Sequence, residues 1–269
     1  MPMPPPVTPA APQEPIIRVD KVAQRRGART IYRDVSFEVA PGEIFVILGG
    51  SGSGKSTLLN QMVGLLPPTA GTIEIAGHRI TGSTARAELL AAQHVFGVMF
   101  QSGALFGSMT LLENVMLPLE MSTDLPAEAR AAVARVQLGL VGLGHAADLL
   151  PAEISGGMAK RAGIARAMAL DPPILFLDEP SAGLDPITSA GLDRLILDLR
   201  EDLGATFVVV THELASILAI ADRCIMLDAE AYPDAGGVIA TGDPRVLRDN
   251  ATHPKVRAFF QRKTVEACA

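Results

Sequence analysis

Several features that would decide a protein's class are scarce or missing in this chain. Thiols occur only at Cys224 and Cys268, too few for a disulfide framework and without metal-site spacing, so two free thiols are expected. No apolar run approaches the roughly 18 residues that a membrane helix needs. Met1-Pro2-Met3-Pro4-Pro5-Pro6 lacks the basic and apolar regions of a signal peptide, and a cytosolic protein is expected. Excess basic charge is missing as well. A net charge of −6 leaves no electrostatic footprint for nucleic acid. It does not weigh against a membrane-protein partner, because such a contact needs only a local surface. Repeats of solenoid length are absent. Apolar residues are plentiful instead, at 48% of the chain. At 269 residues that supports one large domain, or a core with a smaller lobe.

Residues 1–15 are proline-rich and read as a disordered or extended tail. Residues 16–262 read as one folded unit, with 263–269 a flexible end. Ile16 to Val22 and Val35 to Val39 alternate apolar with polar, as half-buried strands do. Between them Arg25-Arg26-Gly27-Ala28-Arg29 reads as a turn. Gly71 to Gly77 is a short strand closed by a glycine turn, Thr84 to Ala92 a helix, and Val95 to Phe100 another strand. From about 102 to 170 the texture turns alanine- and leucine-rich, with helices at Leu112 to Met121 and Ala127 to Leu138: a helical insert. Strand texture returns at Ile174 to Leu177 and Phe207 to Val210, with a helix over Ile187 to Asp202 between them. Pro244 to Arg262 reads as helical. Alternation of this kind predicts an α/β fold with a mostly parallel sheet, helices on both faces and an antiparallel portion near the amino terminus. The acidic residues Asp228, Glu230 and Asp234 read as a solvated loop. His78, His94, His145 and His253 have no partner motif.

The most informative stretch is Gly49-Gly50-Ser51-Gly52-Ser53-Gly54-Lys55-Ser56-Thr57. It follows the apolar run Ile44 to Leu48, a buried strand, and precedes the helical spacing of Leu58 to Val63. Strand, glycine turn and helix form the context in which G-x-x-x-x-G-K-[ST] binds phosphate. Glycines let backbone N–H groups close around phosphate oxygens, and the new helix aims its positive end at them. Lys55 then reaches the terminal phosphates, and Ser56 offers a hydroxyl to Mg²⁺.

Two further features add to this site. Ile174 to Leu177 is an apolar strand that runs into Asp178-Glu179. In a parallel sheet such a strand end lies beside the phosphate loop. One carboxylate there can hold the Mg²⁺ shell and the next can orient a water and take its proton. Alone, the pair also fits a strand followed by a solvated acidic turn. Ser155-Gly156-Gly157 opens the helix Met158 to Leu170, with Ser155 at the cap and two glycines freeing amides for an anion. A plain capped helix fits equally. A second phosphate cradle implies either two nucleotides per chain or service to a neighbouring copy.

Taken together, the phosphate loop, Gln101 after a strand, Ser155-Gly156-Gly157, Asp178-Glu179, Ala182-Gly183-Leu184-Asp185 and Thr211-His212-Glu213 resemble, in order, the motifs of an ABC transporter ATP-binding subunit. The resemblance covers about 16–262 and implies a P-loop NTPase (RecA-like) core. It implies ATP and Mg²⁺ as ligands, with Ser56, Gln101 and Asp178 near the metal. Glu179 is then the general base, His212 the switch histidine on the γ-phosphate and Asp185 the D-loop aspartate acting across a dimer. Gln101 also couples to the permease. Two copies sandwich two ATPs, which answers the question of the second cradle. Two departures stand out: Met158 where the signature usually has glutamine, and Arg26 where many members place an aromatic ring under adenine. Arginine also stacks on a base.

Ser155 to Ala162, the loop Gly49-Gly50-Ser51-Gly52, Asp185 to Thr188 and His253 to Phe260 are similar to the Mla (maintenance of lipid asymmetry) phospholipid-transport subfamily. That likeness implies a permease in the inner membrane, a periplasmic lipid-binding subunit and a small cytoplasmic STAS-type subunit. The ATPase would then lie peripherally on the cytoplasmic face. Phe259 and Phe260 would dock on the other copy or pack within their own chain. Alternatives are another cargo (an amino acid, a metal complex or a lipoprotein) and a soluble ABC ATPase of DNA repair or translation. One cassette, no heptads and negative charge count against the last.

Overall fold

The computed structural model of the chain describes residues 14–262. The expectations for the proline-rich tail up to 13, for 263–269 and for Cys268 fall outside the described residues. The chain opens with an antiparallel pair, β1 (Ile17–Arg26) and β2 (Arg29–Val39). Gly27 turns between them at φ 61°. β2 is longer than its alternating part predicts, and the turn is correspondingly tighter. The buried strand follows as β3 (Ile44–Gly49), leading into α1 (Lys55–Met62). β4 (Ala70–Ile75), β5 (His78–Ile80), α2 (Arg86–Ala92) and β6 (Phe96–Met99) come next.

Between β6 and β7 (Ile174–Asp178) lie three α-helices, α3 (Leu111–Ser122), α4 (Ala127–Leu140) and α5 (Gly156–Ala167), with two short 3-10 turns between α4 and α5. A capping box starts α3. Glu113 N–H donates to Thr110 Oγ1 at 3.2 Å, and Thr110 N–H donates back to Glu113 Oε2 at 2.7 Å, which satisfies two otherwise orphaned donors. α6 (Pro186–Leu203) and β8 (Thr206–Val210) follow, then α7 (Leu214–Ile220). β9 (Arg223–Tyr232) and β10 (Ala235–Gly242) form a hairpin, and α8 (Pro244–Asn250) and α9 (Pro254–Gln261) complete the described chain.

The ten strands among the described residues join one sheet in the order β5-β4-β1-β2-β10-β9-β3-β8-β7-β6. Neighbours from β9 to β6 pair in parallel, β1, β2, β4 and β5 pair antiparallel among themselves, and β10 joins the two parts, parallel to β2 and antiparallel to β9. Every residue of β3 is buried, as a strand covered on both faces requires. Its side chains split by parity. Ile44, Val46 and Leu48 enter a core with α3 to α7 and α9, and Phe45 and Ile47 enter a second core with α1 and the antiparallel strands. The strands at the two sheet edges, β5 and β6, have only three and four residues.

Two expectations need correction. Asp228 and Glu230 are not in a solvated loop but on β9. Lys255 of α9 donates to Asp228 Oδ1 and to Glu230 Oε2, each at 2.8 Å. Asp234 sits at the hairpin turn and pairs with Arg33 at 3.1 Å. Four buried apolar side chains, Cys224 to Leu227, make the strand, and its acidic end is neutralised from another element. The carboxy-terminal helix is also two helices. α8 ends at Asn250, with Ala251 already extended (ψ 130°), and Pro254, which keeps His253 extended (ψ 125°), opens α9 at its first position. Phe260 is buried in its own chain's core, so own-chain packing describes it.

Candidate active site

The glycine loop between β3 and α1 is shaped by backbone that a side chain would obstruct. Gly49 has φ 153°, and a Cβ there would stand 2.3 Å from Leu227 O. Gly54 caps α1 at φ 98°, and a Cβ would meet the Tyr32 ring at 2.7 Å. Glycine alone tolerates both the left-handed backbone and the close approach. Lys55 Nζ lies back over the loop, donating to Gly49 O at 2.8 Å and Gly50 O at 3.1 Å. Burial lowers the pKa of its ammonium, opposed by the charges of Glu179 and Asp178, so all three share one electrostatic neighbourhood.

Beneath the loop lies a polar network that sequence reasoning missed. Tyr32 O–H donates to Gln61 Oε1 at 2.7 Å, and Gln61 Nε2 donates to Gln24 Oε1 at 2.6 Å. Tyr32 and Gln61 are both fully buried. Burial holds the Tyr32 hydroxyl far above its ordinary pKa, so it stays a donor. The available signal was a glutamine on the buried face of α1.

At the carboxyl end of β7, Asp178 and Glu179 stand as the spacing predicted. Glu179 adopts φ 47°, and its N–H donates to Val210 O at 2.8 Å. Its Oε1 lies 2.8 Å from His212 Nδ1, which follows β8. Asp178 Oδ1 and Glu179 Oε2 are buried and have no partner among the described residues. Burial raises the pKa of Asp178, the charge of Glu179 raises it further, and Lys55 and Lys160 oppose both. A buried carboxylate oxygen without a donor, here Asp178 Oδ1, fits a hard divalent cation.

An open cleft of about 340 Å³ gathers Arg26, Gly52, Gly54, Lys55, Ser56 and Thr57, joined by Arg29 and Ile31. The cleft brings Arg26 to the phosphate loop. Gly50 and Ser51 form the exposed crest, while Ser53 is buried inward. Gln101 is exposed just after β6, and its backbone carbonyl accepts from Lys160. Ser155, Gly156, Gly157 and Asp185 do not line this cleft, and the start of α5 packs against the start of α6. A Cβ on Gly157 would meet Thr188 Cγ2 at 2.6 Å, and one on Gly156 would touch Leu184 at 3.8 Å. Ser155 Oγ accepts from Met158 N–H at 3.2 Å. Asp185 caps α6, accepting from Ile187 N–H at 3.0 Å and Thr188 N–H at 3.1 Å. The Thr188 hydroxyl, which donates to Asp185 Oδ2, and then these backbone bonds hold its carboxyl below the usual range.

A mixed sheet with a parallel half, a glycine loop opening a helix after one of its strands and carboxylates at the end of another define a P-loop nucleoside triphosphatase. A model of the ABC transporter family matches residues 32–182. The chain is 41% identical over 245 residues to the Escherichia coli intermembrane phospholipid transport system ATP-binding protein MlaF, spanning 91% of this chain and 88% of that one. Over 249 residues it is 40% identical to the probable ribonucleotide transport ATP-binding protein mkl of Mycobacterium tuberculosis, spanning 93% of this chain and 67% of that one. Among solved structures, a dimeric ATP-binding cassette in a post-hydrolysis state with ADP and Pi superposes with a TM-score of 0.73. That match has 32% identity over 84% of this chain and 98% of the other. The chain therefore belongs to the ABC transporter family, as one of its ATPase cassettes.

Proposed function

We propose that this ATPase drives phospholipid movement across a bacterial envelope through a separate permease, working as a pair of copies around two ATPs. The observation that carries the cargo is the likeness to MlaF, which extends over 88% of that protein. The mkl relative is matched over less of its length, 67%, and is named for probable ribonucleotide transport. Permease docking is supported by the side chains of Phe106 and Met121, 52% and 78% exposed near α3. No helix among the described residues is long and apolar enough to cross a membrane. The reading puts the chain peripherally on the cytoplasmic face of the inner membrane, with a periplasmic lipid-binding subunit and a small STAS-type subunit as further partners.

Hydrolysis in this reading is positioning and charge neutralisation. The loop amides from Gly50 to Thr57 and the Lys55 ammonium hold the β- and γ-phosphates. Lys55, now spent on two loop carbonyls, turns to phosphate oxygens instead. Ser56 and Asp178, with Gln101, would hold Mg²⁺, which would supply neutralisation of phosphate charge. Glu179 orients the attacking water and accepts its proton, and His212 reaches the γ-phosphate. Arg26 stacks on the base. Ser155, Gly156 and Gly157 serve the ATP of the opposite copy, a reading supported by their not lining this chain's own cleft. Purification from the native membrane followed by reconstitution tests the cargo. ATP-dependent transfer of labelled phospholipid between vesicle and acceptor supports it. A lipid-indifferent ATPase stimulated by a soluble ligand overturns it.

A further inference from the structure

A lysine 7% exposed needs an explanation, because a buried ammonium is stable only when its donors and charge are matched. Lys160, in the first half of α5, meets that need with main-chain oxygens. Its Nζ donates to Gln101 O and, at 3.2 Å, to Glu179 O. Further along the helix Arg166 donates to Gly103 O at 2.9 Å and Ala104 O at 2.7 Å. Gly163 backs onto Gly103 so closely that a Cβ would stand 3.2 Å from its Cα. The helix that begins at Ser155 thus holds the segment after β6 by its backbone. Of these contacts, only the Lys160 ammonium also reaches the end of β7.

We propose that Lys160 is a positioning residue for ATP hydrolysis, binding Gln101 and Glu179 through their main-chain oxygens and so fixing the signature helix relative to the catalytic glutamate. Glu179 occupies a left-handed backbone conformation, which persists only where surrounding groups determine it. The bond to its carbonyl is one such determinant; its own N–H bond to Val210 O and the Ala182 N–H that donates to the same carbonyl at 3.2 Å are others. Were Lys160 only filling space, an apolar side chain of similar length would serve as well, because a buried charge carries a desolvation penalty. The charge instead lies near Asp178, Glu179 and Glu213, at the point where helix, glutamine segment and strand converge.

The inference rests on the roles given above to Gln101 and Glu179. Wild-type turnover and the Glu179→Gln variant test those roles, and the ratio of variant to wild type tests this one. The full-length chain is compared as wild type, Lys160→Met, Lys160→Gln and Lys160→Arg. Measurements are MgATP affinity, kcat, KM and hydrogen exchange of peptides covering 101–104 and 177–181. The neutral variants are expected to bind MgATP within about threefold of wild type and to lose about 10–100-fold in kcat, the scale of a small misplacement of a reacting group. Exchange should quicken in both segments, and arginine should restore most of kcat by reaching the same carbonyls. Neutral variants with kcat within twofold of wild type overturn the proposal. So does an equal loss in all three, or failure of both neutral variants to fold, since either outcome assigns Lys160 to support of the fold alone.

Discussion

Glu179 Oε1 and His212 Nδ1 stand 2.8 Å apart, joining the end of β7 to the residue just past β8. With the carboxylate ionised, the ring must donate from Nδ1, which leaves Nε2 as the nitrogen free for another partner. One carboxylate oxygen is thereby fixed, and the other, Oε2, is left without a partner among the described residues. That is the arrangement expected of a base held in place for a water. Glu179→Gln should retain ATP binding, lose about 10³-fold in hydrolysis and elute as a dimer in ATP. Phosphate release and gel filtration measure both, and wild-type turnover would remove Glu179 from this role. His212→Ala, which frees the Glu179 oxygen, should lose about 10²-fold in kcat.

Gly54→Ala places a methyl group against the Tyr32 ring on a backbone at φ 98°. Such strain costs about 1–3 kcal/mol. The loop can relieve it only by moving, so MgATP affinity should fall at least about tenfold, the equivalent of ~1.4 kcal/mol. Titration calorimetry reads the change. Unchanged affinity would show that the ring yields instead.

Tyr32→Phe keeps the ring but removes the donor to buried Gln61 Oε1. An acceptor stranded in this way costs about 1–3 kcal/mol. For a chain of this size each kcal/mol lowers the melting temperature by about 2–4 °C. Calorimetry of the nucleotide-free protein should show the drop.

Asp178 carries a pH signature. Its pKa is raised in the fold, first by burial and then by Glu179, so the folded protein binds this proton more tightly than the unfolded chain does. The associated stability is fully present below the ordinary carboxylate value near about 3.9. It is lost as pH rises through the elevated folded value. Asp178→Asn does not titrate. Without nucleotide or metal, the variant should melt above wild type at pH 8, with the gap narrowing toward pH 4. In saturating MgATP the order should reverse, because wild type gains binding energy that the variant lacks.

Sequence reading was strongest where local chemistry and fold agree. The apolar run Ile44 to Leu48 and its glycine loop identified a strand, a turn and a helix without tertiary information. Asp178-Glu179 and Ser155-Gly156-Gly157 were legible because their spacing places them at element ends. What escaped depended on partners distant in the chain. Lys255 turns the acidic residues at 228 and 230 into part of a strand pair, and nothing near them in sequence announces it. Tyr32, Gln61 and Gln24 form one network from three elements. α7 and the hairpin of β9 and β10 passed unseen, hidden by short apolar runs that fit either period. Lys160 looked like any helix lysine until the fold buried it.

The brevity of the outermost strands, His78–Ile80 and Phe96–Met99, governs how molecules of this protein can meet. A long unpaired rim would offer its N–H and C=O groups to any passing chain and invite open-ended growth. Three and four residues leave almost no template for such stacking. Crowded copies are therefore steered away from fibre-like contact, and association is left to surfaces whose geometry closes on itself.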